Sequence, residues 1–152
     1  MKYYEINEET LAVLPVDYEK TKIIEKNREY LVEKSAYSIM DESCIFYGST
    51  YKGRLSAAKS ILNCAYKLPI LVEETKKIIF FPTKSSLEND CCWINFSYVK
   101  NIIKNENNCI IKFSNDVEIP INTSKLSIEN QISRSTRLSY ILQQRIENIK
   151  NN

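Results

Sequence analysis

The sequence contains no histidine, and that absence removes more chemistry than any motif in it adds. A Ser-His-Asp or Cys-His nucleophile, a histidine metal site and a histidine acid–base pair all need an imidazole, so none can be assembled from this chain. Glycine is nearly missing too: Gly48 and Gly53 are the only two in 152 residues, alongside four prolines. Little of the chain can therefore be flexible linker, and neither a Walker loop nor a G-x-G-x-x-G turn is present. There is no run of about 18 apolar residues and no charged leader followed by an apolar stretch, so the sequence predicts no membrane span, no signal peptide and a cytoplasmic location. Carboxylate catalysis stays open in principle. The acidic residues, however, concentrate in the first 42 positions in exposed-looking patterns such as Asn7-Glu8-Glu9, and the sequence points neither to an enzyme nor to a cofactor.

Five cysteines (Cys44, Cys64, Cys91, Cys92 and Cys109) form an odd set with no C-x-x-C spacing. Adjacent Cys91 and Cys92 point apart in an extended segment. They read as reduced core thiols without bound metal; a redox sensor is the sharper alternative. Net charge is +2 but unevenly spread: residues 1–42 carry six basic and ten acidic side chains, and residues 43–152 carry fifteen and nine. The later part thus holds a net +6, the footprint a nucleic-acid binder needs on one face.

A chain of 152 residues is long enough to bury one core as a single domain without metal or disulfide support. Short β-branched and aromatic runs predict strands at Lys2–Ile6, Thr10–Pro15, Lys22–Lys26, Glu29–Lys34, and Tyr37–Met40 continuing into Cys44–Tyr47, an antiparallel meander in which Asn27-Arg28 marks the clearest hairpin. Further strands are expected at Pro69–Val72, Lys77–Phe81, Trp93–Ile103 with one buried face, and Cys109–Phe113 paired with Val117–Ile121 as a second meander. From about 127 to 149 the period changes. Ile128, Ile132, Leu138, Leu142, Ile146 and Ile149 recur at helical steps, with Arg134, Arg137 and Arg145 beside the apolar stripe and a short polar tail Lys150-Asn151-Asn152 after it. The fold class is therefore α+β: mainly antiparallel β-sheet in two meanders, a short helix after a glycine-framed turn, and a long C-terminal amphipathic helix.

Ser43 to Val72 is the stretch that carries function in this reading. It holds both glycines and Lys52, Arg54, Lys59 and Lys67, and it has no acidic residue. Two glycines five apart, beside hydroxyl and basic side chains, suggest a shaped turn that presents donors to an anionic partner, followed by a half-buried helix over Leu55–Tyr66. An ordinary loop and core helix with solvated lysines is the plainer alternative. The loop Pro82-Thr83-Lys84-Ser85-Ser86 could contact phosphate or simply turn the chain.

Taken in order, the segments TLAVLP, TKIIEK, IMDESCIFYGSTYKGR, KLPILVEETKKIIFFPTKSS, CCWINFSYV, IKFSNDVEIPI and IENQISRSTRL resemble the ComK family of bacterial competence transcription factors, from about Thr10 to Ile146. The combination SC-x-F-Y-G-S-x-Y-x-G-R, FFPT-x-SS and C-x-W-I is the specific part. The resemblance implies a sequence-selective activator of DNA-uptake genes that binds paired A/T-rich boxes largely through the minor groove, as an oligomer of dimers. Its implied partners are duplex DNA, further copies of the chain and, for an activator, RNA polymerase. A·T tracts have narrow minor grooves that draw in Arg and Lys. On this reading Lys52 and Arg54 supply the insertion, Ser49, Thr50, Tyr51, Lys59 and Lys67 position phosphates, Lys84 is a further contact, and Arg134, Arg137 and Arg145 serve subunit contact or a secondary DNA contact. In the family the Gly-Arg pair is followed by another basic residue and the later turn reads His-Lys-Pro-Pro. Here Leu55 and Tyr66-Lys67-Leu68-Pro69 stand there, so weaker DNA binding is expected. The family's fuller form also continues into a C-terminal tail recognised by an adaptor of the Clp protease, and adaptor binding is not expected here. The competing function is a protein-interaction module that pairs with a full-length relative.

Overall fold

The run Ile78-Ile79-Phe80-Phe81 has no polar alternation, which in a strand means that both faces of the sheet are covered. The computed structural model, which describes residues 1–151, shows why. Its elements are β1 (Thr10–Asp17), β2 (Lys20–Glu25), β3 (Glu29–Val32), α1 (Ala36–Phe46), α2 (Tyr51–Leu62), β4 (Ile70–Glu73), β5 (Ile78–Pro82), β6 (Trp93–Asn95), β7 (Val99–Asn105), β8 (Asn108–Phe113), β9 (Glu118–Ile121) and α3 (Lys125–Asn151). A single 3-10 turn, Phe96–Tyr98, separates β6 from β7. Six strands form one antiparallel sheet in the order β3-β2-β1-β6-β5-β4, and β7-β8-β9 form a second. The α+β class with two antiparallel sheets and a long C-terminal helix is therefore as the sequence reads.

The alternation along the central strands sorts side chains between cores. Val13, Ile23, Ile70, Val72, Ile78, Phe80 and Trp93 pack on one face with Ile39, Met40 and Cys44 of α1. Leu11, Ala12, Ile24, Phe81 and Ile94 point to the other face, where Ile111, Phe113, Ile119 and Ile121 of the second sheet and Ile128 of α3 cover them. A third cluster joins Ala58, Ile61 and Leu62 of α2 to Leu71, Ile79 and Leu138. Since Tyr51 belongs to the first cluster and Ala58 to the third, α2 spans the β4 edge of the sheet from one face to the other.

The β2–β3 hairpin at Asn27-Arg28 forms with Ile24 opposite Glu29. The second meander forms with Ile111 opposite both Ile102 and Ile119. Four local expectations differ. Lys2–Ile6 is not a strand: the backbone of buried Ile6 is satisfied by side chains of α1 and its turn, its N–H donating to Ser43 Oγ at 3.0 Å and its carbonyl accepting from the Tyr47 hydroxyl at 2.7 Å. Tyr37–Met40 and Cys44–Tyr47 are not strands but lie in or next to α1. Ser35 caps that helix by accepting from the Ser38 N–H, and Ile39, Met40, Ser43 and Cys44 are buried at helical spacing. The next helix starts at Tyr51 rather than Leu55 and ends at Leu62, where Asn63 adopts φ 53°. Finally, Trp93–Ile103 is broken, because the Asn95 side chain accepts from the Ser97 N–H and donates to the Thr10 carbonyl, which turns the chain from one sheet into the other. α3 begins slightly before the predicted residue 127, with Ser124 accepting from the Ser127 N–H. Of the polar tail, Lys150 and Asn151 fall in α3 and Asn152 lies outside the described residues.

All five cysteines are free thiols, with Cys44, Cys91 and Cys109 buried. Burial pushes Cys44, Cys91 and Cys92 up to about 11. Thiol titration of denatured protein should therefore find five groups, and in native protein near pH 8 half-buried Cys64 should react first. Fewer than five reactive groups in fresh denatured protein contradicts this. Because these folded values lie above the ordinary 9.0, the stability they contribute is intact below pH 9 and is lost as pH rises towards 11.

Candidate nucleic-acid interface

The turn between α1 and α2 holds one glycine whose conformation demands it: Gly48 sits at φ +93° with open space around the missing side chain. Gly53, expected in the same turn, instead occupies the first turn of α2, where an added Cβ would stand 3.1 Å from Thr50 Oγ1. Thr50 is the N-cap, accepting from the Gly53 N–H at 2.9 Å. The Tyr51 N–H donates to Asp41 Oδ1 at 3.0 Å. The positive end of the α2 dipole is thus already partly answered within the chain, and the basic character of the element rests on its side chains.

Those side chains sort cleanly by helical angle. At 100° per residue, Lys52, Ser56 and Lys59 fall within about 60° of one another, with Ser60 beside them. All four are exposed, and α2 contains no carboxylate. Ala58, Ile61, Leu62 and the Tyr51 ring lie on the opposite side and are buried. The outer ridge is therefore a short cationic and hydroxyl strip of the kind that contacts phosphate oxygens.

Structure divides the predicted site residues into three groups. Lys52 and Lys59 stand on the ridge, half-buried Ser49 and exposed Thr50 lie just before the first turn of α2 beside Gly53, and Lys67 is exposed in the turn after α2, at φ 53°. Tyr51, read from sequence as a phosphate contact, is only 4% exposed: its ring packs edge-on against Trp93 and Tyr37, with centroids 5.9 and 5.1 Å away. Burial raises its phenol above the ordinary tyrosine value. It is an anchor for α2, because an aromatic at the first helical position falls on the core side.

Arg54 and Lys84 carry cations that the chain itself neutralises. Arg54 sits about 170° from the centre of the ridge. Its side chain is 15% exposed and its Nη2 donates to Glu74 Oε1 at 2.9 Å. Lys84 bonds Asp90 at 2.6 Å, which holds its ammonium above the ordinary lysine value. For either to meet DNA it must leave its carboxylate.

The three α3 arginines separate likewise. Arg134 Nη1 donates to the carbonyls of Tyr66 and Lys67 at 2.8 and 3.2 Å, and the buried amide of Gln131 donates to Lys67 O and Pro82 O at 2.9 and 2.6 Å. These bonds fix the Tyr66–Lys67 turn, so Arg134 positions Lys67 rather than facing solvent. Arg137 and Arg145 are exposed.

A family model described as ComK protein matches residues 1–147. The chain belongs to the ComK family. It is also 35% identical over 151 residues to the competence transcription factor of Bacillus subtilis (strain 168), an alignment covering 97% of this chain and 79% of that protein. No solved structure matches it. In this ComK-family chain the described residues include no group of three His, Cys, Asp or Glu side chains that could hold a metal ion, and no described helix is long and apolar enough to cross a membrane. The sequence missed Ser56 and Ser60 as ridge members and Asp41 as the second cap of α2. Ridge spacing was visible once the helix is started at Tyr51; the Asp41 and Glu74 contacts, ten and twenty residues from their partners, leave no local signal.

Proposed function

We propose that this ComK-family chain is a DNA-binding transcription regulator of competence genes that holds A/T-rich duplex through the outer ridge of α2. The observation that carries the reading is the acid-free ridge of Lys52, Ser56 and Lys59 on a helix packed across the β4 edge of the sheet. Ser49 and Thr50, just before α2, and Lys67, in the turn after it, are assigned the backbone contacts that fix register. The A·T minor groove offers few distinguishing groups but a strong negative potential, so a short cationic strip that senses width is an adequate reader. Lys52, at the ridge's N-terminal end, is the inserted cation in this arrangement. Arg54 serves α2 from its opposite flank. Arg137 and Arg145, exposed along α3, are placed for contact between protomers, which brings two ridges onto paired boxes.

The test is a gel shift with A/T-rich and random duplexes of equal length, with and without a small minor-groove binder. The expected result is tighter binding of the A/T-rich duplex and displacement by the competitor. Binding indifferent to both A/T content and competitor would remove the reading in favour of a protein-pairing role.

A further inference from the structure

A cavity of about 200 Å³ opens on the flank of α2 opposite the lysine ridge, between the β4–β5 turn and the C-terminal half of α3. Leu71, Ile79, Leu142 and Ile146 give it an apolar floor, and Arg54 and Lys77 stand at it with a single carboxylate, Glu74. Glu73, on the same turn, also feels the Arg54 charge, so what marks the site is the geometry of the guanidinium rather than net charge.

The guanidinium is the informative group. Its Nε and Nη2 hydrogens lie parallel on one edge and match the two oxygens of a carboxylate. Here Nη2 bonds Glu74, whereas Nε is buried and has no acceptor. The fork is half filled, and a buried donor left unmet is unfavourable. Nε is closed off in this arrangement, and Glu74 is 68% exposed while the Arg54 side chain is only 15% exposed, so an incoming carboxylate must replace Glu74 and take over its bond rather than find the guanidinium already free. Lys77, on the same turn, donates to Gln143 of α3 and supplies the second cation.

We propose that this cavity binds a small carboxylic acid with a short apolar chain, its carboxylate taken by both donors of the Arg54 edge with Lys77 beside it, and its chain lying on the Leu71, Ile79, Leu142 and Ile146 floor. A cavity of this size is below that of drug-sized sites, which limits the chain to a few carbons. No covalent step is involved. The site is independent of DNA binding, so either can fail without the other.

Titration calorimetry on the full chain tests it with hexanoate, hexanol and hexylammonium. Hexanoate should bind with a Kd on the order of a millimolar or below, as its few heavy atoms allow. Hexanol should bind at least about tenfold more weakly and hexylammonium not at all, since each lacks the charge that fills the fork. R54Q should lose hexanoate binding, and I146W, on a half-exposed side chain that can accept a ring, should block the cavity and lose it too. Absence of hexanoate binding, equal binding of hexanol, or retention by both variants overturns the proposal.

Discussion

Raising salt from about 50 to about 200 mM should weaken binding of a paired A/T-rich duplex on the order of 10³-fold if two protomers each contribute three lysine contacts. The expectation follows from counting free cations. Lys52, Lys59 and Lys67 are exposed, and none appears among the ion pairs that hold Arg54, Lys84 and Lys76. Each phosphate contact releases condensed counterions and contributes a slope of about −0.9 in log affinity against log salt, so six contacts give about −5. One protomer alone, with three, loses only about fortyfold over the same range. The slope therefore reports how many protomers engage the duplex as well as whether the contacts are electrostatic. K52A together with K59A should flatten it by about two per protomer. A slope near zero, or one unchanged in the double variant, places the interface elsewhere.

How much of this was readable beforehand follows from where the local signal and the tertiary structure agree. The β2–β3 and β8–β9 hairpins and α3 were legible because their apolar period matches their final burial: Cys109, Ile111 and Phe113 face one way along β8, and Ile128, Ile132 and Leu138 follow the helical step. α1 was not, because Tyr37, Ile39, Ile45, Phe46 and Tyr47 are residue types that favour strands, and only the burial of Ile39, Met40, Ser43 and Cys44 reveals the helical period. The same competition moved the start of α2. Reading Gly53 as a turn residue hid a first turn whose caps, Thr50 and Asp41, come from outside the helix. Within the candidate site, the lysines of the ridge were legible as charge without acid. The fate of Arg54 was not, since what decides it is Glu74 across the β4–β5 turn and the end of α3 beyond.

Tyr51 separates a contact from an anchor, and the two roles predict opposite patterns in a pair of variants. Tyr51→Ala should destabilise the fold by about 3–5 kcal/mol, the range for emptying a buried aromatic site. Its ring fills the space between Trp93, Tyr37 and the α1 core, at the point where α2 crosses the sheet edge. Loss of that ring releases the N-terminal turn of α2, so Lys52 is no longer held in register with Lys59 and duplex affinity should fall with stability. Tyr51→Phe keeps the ring and its edge-on packing. It should leave duplex affinity within about twofold and stability within about 1.5 kcal/mol, the scale of one hydrogen bond. Denaturant unfolding and gel shifts on the same preparations check both. Were Tyr51 a phosphate contact through its hydroxyl, Tyr51→Phe would lose as much affinity as Tyr51→Ala while both remained stable. That pattern would require the ring to swing out of the core in the complex, against the burial that holds it.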